Sequence, residues 1–122
     1  MRRTIILMIA IVALLLPVGV TAAQPARYIA LEPAAATLDA VFTVTGTGFL
    51  PGEVAIHSFT SPDGTEFSPG PAAVHLADDQ GIFQFQFVPI LDFTTPVPGP
   101  WKLTVCLNDR RTCATLDFTI AN

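Results

Sequence analysis

From residue 28 onwards, apolar and polar residues alternate in short runs that glycine and proline interrupt about every ten residues. Period-2 alternation is the signature of half-buried strands, and no run carries the 3.6-residue period of a helix. The pattern predicts strands over 28–31, 39–45, 53–60, 72–77, 82–88, 101–107 and 112–120. In the second of these, Phe42 and Val44 point to one side and Thr43 and Thr45 to the other. In the third, Val54 and Ile56 are expected inward, with Ala55 and His57 outward. In the fourth, Val74 and Leu76 are expected inward and His75 outward. The fifth is the plainest, with Phe83, Phe85 and Phe87 interleaved by Gln84 and Gln86. The Ala34-Ala35-Ala36 stretch alone has helix-friendly composition, and Pro33 and Thr37 confine it to a turn. About seven short antiparallel strands at this spacing define an all-β sandwich.

The last two strands read as a hairpin whose register is over-determined. Setting Cys106 opposite Cys113 places Trp101 against Phe118, Leu103 against Leu116 and Val105 against Ala114 on one face. On the other face Lys102 meets Asp117 and Thr104 meets Thr115, so charge and hydroxyl pairs also fall into place. A slip of one residue would reverse every face. A loop over 108–111 makes 106 and 113 a non-hydrogen-bonded pair, where side chains approach closely enough for a cystine. The two cysteines are therefore expected to form a disulfide, which implies an oxidising compartment.

Alternation of strand direction also sorts the loops. Loops 32–38, 61–71 and 89–100 share one end of the sandwich; turns 46–52, 78–81 and 108–111 share the other. The first end is longer and carries Phe67, Ile90, Leu91, Phe93 and Val97, the expected binding loops. Longer loops on a rigid scaffold are where function usually sits.

The residues before the first strand read as a signal peptide over 1–23. Arg2 and Arg3 precede an apolar run from Ile5 to Leu16, and Pro17 and Gly19 break it ahead of Ala22 and Ala23. An uncleaved leader anchoring the domain at the membrane is the alternative reading. The domain over 24–122 then keeps Arg27, Lys102, Arg110 and Arg111 against ten acidic residues, a formal charge of −6. That balance argues against nucleic acid, which requires a basic face.

The run Thr43-Val44-Thr45-Gly46-Thr47-Gly48-Phe49, followed by Pro51-Gly52-Glu53, resembles the bacterial immunoglobulin-like modules of secreted and cell-surface proteins. Further matches are Ser61-Pro62-Asp63-Gly64, the Asp78 to Phe83 segment, Pro98-Gly99-Pro100-Trp101 and Leu116-Asp117-Phe118-Thr119-Ile120. The resemblance covers about residues 30–121 and implies an immunoglobulin-like sandwich. It is nearly silent on function. A weaker resemblance, in size, leader, acidity and a late disulfide, is to secreted apoproteins of the neocarzinostatin type. They carry a second disulfide that this chain lacks.

Catalytic chemistry is poorly represented. Both cysteines are committed to each other, and no serine sits in a G-x-S-x-G elbow. Gly46-x-Gly48 is not a phosphate loop, because no helix follows it. His57 and His75 are expected to be solvated, so no metal site is predicted, and Asp78, Asp79 and Asp63 lack a Ca²⁺-loop spacing. The sequence thus points to a non-enzymatic, cofactor-free, monomeric module, secreted or at the cell surface, that binds an extracytoplasmic protein or envelope polymer. The alternatives are a small-molecule carrier of the neocarzinostatin type and, third, an exported metal-binding protein using both histidines.

Overall fold

In the computed structural model residues 26–122 are described, so the leader over 1–23 and the domain's start at residue 24 lie outside the described residues. In chain order the strands are β1 (Tyr28–Glu32), β2 (Ala35–Thr37), β3 (Phe42–Thr47), β4 (Val54–Thr60) and β5 (Glu66–Phe67). After a 3₁₀ turn at Gly70–Ala73 come β6 (Val74–Leu76), β7 (Phe83–Phe87), a one-turn helix α1 (Pro89–Asp92), β8 (Gly99–Leu107) and β9 (Cys113–Ala121). One sheet has the order β1-β3-β7. The other runs β2-β9-β8-β4-β5, with β6 also paired to β4. The all-β sandwich read from the alternation is the fold of the chain.

Two short strands depart from the expected seven. The 34–36 stretch is no simple turn: β2 runs parallel to β9, with Ala35 opposite Thr119. The amide of Thr119 donates to the Ala34 carbonyl at 2.9 Å, so the segment satisfies its backbone at the free edge of the sheet. β5 closes a hairpin with β4 through Ser61-Pro62-Asp63-Gly64, where the Gly64 amide donates to the Ser61 carbonyl at 2.9 Å.

The β8–β9 hairpin has the expected register throughout, from Trp101 opposite Phe118 to Cys106 opposite Cys113. Lys102 Nζ reaches Asp117 Oδ1 at 2.7 Å, and the hydroxyls of Thr104 and Thr115 lie 3.2 Å apart. The Leu107 amide donates to the Thr112 carbonyl at 2.9 Å, so the loop spans 108–111 as expected. Asp109 Oδ1 braces it by accepting from the amides of Arg111 (2.8 Å) and Thr112 (3.0 Å). The Cys106–Cys113 disulfide then joins residues whose Cα atoms are 4.0 Å apart. Closing so short a loop contributes about 2–2.5 kcal/mol in the chain-entropy account. A Cys106→Ser/Cys113→Ser double variant should lose about that much in urea unfolding while the hairpin persists. An unchanged unfolding midpoint would show that the disulfide adds nothing.

The interior is largely aromatic. Phe42 stacks on Phe87 at 5.0 Å, and Phe59, Phe118 and Trp101 close around them. Phe49 folds back over the end of the sandwich, edge-on to Phe83 at 5.1 Å. Gly46 is required by this packing, because a Cβ there would overlap the Phe83 ring. Glu53 ties the same end together: it takes Arg27 in a two-point ion pair at 2.8 and 3.0 Å and accepts the Leu50 amide at 3.1 Å.

The two loop ends are sorted as the strand directions require. The Phe49 amide donates to the Gly81 carbonyl, joining turns 46–52 and 78–81, whereas the Ile90 amide donates to the Leu38 carbonyl at the opposite end.

The faces of β4 and β6 are the reverse of those expected. Ala55, His57 and Phe59 are the buried residues of β4, while Val54 and Ile56 lie on the outer face. In β6, Val74 and Leu76 are exposed and His75 is turned inward. The outer residues face one another across the two strands, with Val54 opposite Leu76 and Ile56 opposite Val74.

Candidate functional site

The residues expected to form the binding loops divide into two groups. Phe93 is a core residue, 5% exposed, with ring centroids of Trp101, Phe59, Phe67 and Phe87 at 4.5, 4.7, 5.4 and 5.6 Å. It holds the loop down and presents no surface to a partner, which corrects its placement among the contact residues. Ile90 and Leu91 project from α1 and are 52% and 78% exposed. Leu91 is bare because a helix of one turn can turn only one side to the core. That side is fixed by Pro89, which is buried, and by the Val88 amide, which donates to Asp92 Oδ2 at 2.7 Å.

Val97 and Phe67 are partly covered. The Val97 carbonyl accepts the Trp101 indole N–H at 2.9 Å, which satisfies the one polar atom of that buried side chain. Beside Val97 opens a cleft of about 400 Å³ lined by Ser61, Asp63, Thr65, Phe67, Thr94 and Trp101, among others. Its walls are apolar and its rim is hydroxyl and carboxylate. Asp63 is the rim's charged group, held below the usual carboxylate range by hydrogen bonds from Ser61 and the Thr65 amide.

A second feature escaped the alternation. His57 is 4% exposed and its Nδ1 lies 2.8 Å from His75 Nε2. Neither histidine is a free solvated side chain as expected; each satisfies the other within an apolar wall. Burial, together with the neighbouring His75, lowers the pKa of His57 to about 4, against a small raising effect from the Ala73 carbonyl. Burial also lowers that of His75. Asp78 and Asp79 sit at the disulfide end, whereas Asp63 is at the loop end, so the three carboxylates do not converge. Asp78 Oδ1 instead accepts the amides of Gln80 (2.8 Å) and Ile82 (3.0 Å) in its own turn. Among the described residues no three His, Cys, Asp or Glu side chains cluster around a common point.

Between the sheets the space is filled by the phenylalanine cluster. Among the described residues, openings of about 150 Å³ lead onto it at Ile29, Phe49 and the disulfide, and at His57, Gln86 and Asp92. Both fall below the ~300 Å³ at which small-molecule sites begin.

No protein-family model matches the chain, and no curated protein matches it by sequence. Among solved structures it is similar to a tetra-tandem repeat in the extending region of a large adhesion protein, at TM-score 0.57 and 15% identity. That match covers 79% of this chain and 24% of the solved four-repeat chain, so this chain spans about a quarter of the length of that repeat array. Macromomycin also matches, over 79% of this chain and all of its own, at 16% identity and TM-score 0.48. The adhesion repeat shows the shared β-sandwich fold. The macromomycin likeness carries no argument at that score.

Proposed function

We propose that this protein is a non-enzymatic, extracytoplasmic β-sandwich module. Its loop end docks a protein or polymer of the cell envelope. The observation that carries this reading is that bare Ile90 and Leu91 lie at the same loop end as the apolar cleft at Val97 and Phe67, opposite the braced disulfide end. Exposed aliphatic side chains and a preformed apolar cleft on one end of a rigid scaffold are what a docking surface supplies. The disulfide and the leader read from the sequence support export. The fold shared with a repeat of an adhesion protein is in keeping with a role at the cell surface.

The test is recovery of envelope components on the immobilised protein, compared with an Ile90→Ser/Leu91→Ser variant. Loss of these anchors should cut recovery of a specific partner by about tenfold or more. Stability should stay within about 0.5 kcal/mol, since both sites are exposed. Equal recovery on both proteins would reject the loop end as the contact.

A further inference from the structure

His57 and His75 are not merely stacked. Their centroid separation of 5.0 Å is what the 2.8 Å nitrogen contact plus the two ring radii make, so the rings meet edge to edge. Their planes differ by only 19°. His57 Nδ1 and His75 Nε2 therefore point at each other nearly in line.

Phe85 lies beneath both rings, at 4.2 Å and 13° from His57 and at 4.1 Å and 7° from His75. The three centroids form a nearly isosceles triangle with Phe85 at its apex. The midpoint of the nitrogen contact then sits over the centre of the Phe85 ring at about 3.3 Å, a distance suited to a cation on an aromatic face. Phe83 extends the platform under His75 at 5.5 Å.

Two in-line nitrogens over an aromatic face suit one kind of ion. Zinc wants four ligands in a tetrahedron, and calcium and magnesium want six or more oxygens. Among the described residues no third metal-ligating side chain joins the pair. A monovalent ion with a filled d shell is satisfied by two ligands in line and favours imidazole over water. We propose that His57 and His75 form a two-coordinate site for a soft monovalent cation of the Cu⁺ and Ag⁺ class, seated over Phe85.

Without the cation, one proton bridges the two nitrogens across their 2.8 Å contact. The cation takes its place, and that proton moves through solvent to the far nitrogen of the same ring. Both imidazoles stay neutral and no electron is transferred. Two metal–nitrogen bonds of about 2 Å in line need the nitrogens roughly 1 Å further apart. β6 can supply that movement, because it is three residues long and pairs only with β4. The small opening at His57, Gln86 and Asp92 gives access, with the Asp92 carboxylate beside the path.

The test is calorimetric titration of the protein with Ag⁺, the redox-inert member of the class, and with Cu⁺ under anaerobic conditions. One equivalent should bind with ¹⁵N shifts at His57 Nδ1 and His75 Nε2. His75→Phe keeps a ring against Phe83 and Phe85 and should weaken this binding at least 100-fold; His57→Phe should do the same. Far-UV circular dichroism and the melting temperature of each unliganded variant report whether it has folded. Three results would overturn the proposal: unchanged affinity in a folded His75→Phe protein, no ¹⁵N shift at either histidine on saturation with Ag⁺, or tighter binding of Zn²⁺ than of Ag⁺ at the pair. The ¹⁵N reading on the unsubstituted protein decides the matter even if a variant fails to fold.

Discussion

Phe93→Ser is expected to destabilise the domain by about 4 kcal/mol, the range for removing a buried phenylalanine from a packed core. The ring is 5% exposed and sits within 5.6 Å, centroid to centroid, of Phe59, Phe67, Phe87 and Trp101. Serine would leave a cavity at the junction of both sheets and the 89–98 segment, and it would bring a hydroxyl into a region of carbon. A domain of this size holds only about 5–15 kcal/mol in total. Its melting temperature should therefore fall by roughly 15 °C or more. Leu91→Ser, two residues away and 78% exposed, should shift it by no more than a few degrees. Thermal and urea unfolding of the two variants side by side would check the contrast. A Phe93→Ser protein that melts within about 3 °C of the parent would mean the ring is not part of the core. The contrast also governs the choice of binding probes: a Phe93 variant reports on folding, and only Ile90 and Leu91 report on contact.

What the sequence made legible follows from the range of the interactions involved. The β8–β9 hairpin was readable pair by pair because a short loop fixes which residue meets which, and charge, hydroxyl and cysteine pairs then agree with the apolar face. β2 was not readable, because its partner β9 lies some eighty residues away and its alanines carry no strand signal. The faces of β4 and β6 run against the aliphatic pattern because aromatic and small residues, not Val and Ile, set their inward parity. Phe59 shares a face with His57 and Ala55, and Ala73, His75 and Ala77 alternate in phase with them. Small residues and flat rings are what fit against Phe83, Phe85 and Phe87 on the facing sheet, whereas Val54, Ile56, Val74 and Leu76 pair across the outer face. Parity set by Phe59 would have turned both histidines inward and brought the pair into view. At the loop end, the apolar residues of 89–97 were visible. Their division into a buried Phe93 and a bare Leu91 depends on the single turn of α1, which no periodicity in four residues can announce.

The histidine pair should also make the fold acid-sensitive in a window above that of the carboxylates. His57 titrates near 6.5 when unfolded but near 4 in the folded chain, because burial and the facing His75 oppose its charge. A histidine whose folded pKa is depressed stabilises the fold fully above its unfolded value, and that contribution is lost as pH falls from 6.5 through 4. The loss should be about 2 kcal/mol by pH 5 and about 3 by pH 4. His75, also depressed by burial, acts in the same direction. A first proton can be held by the pair, with the charged ring donating to the neutral one. A second would set two N–H groups head to head across 2.8 Å, so the fold must give way before both are charged. Glu53, whose pKa is lowered chiefly by its hydrogen bond from Arg27, loses its stabilising charge only below about 4.5. Asp63 and Asp109 follow at still lower pH. Urea midpoints at pH 7, 6 and 5 would measure the upper window separately from the carboxylates. A His57→Phe/His75→Phe variant, which keeps rings on Phe85 but cannot titrate, should be flat across it. If the parent protein is equally stable at pH 7 and pH 5, or if the double variant keeps the same slope, the pair does not control acid stability.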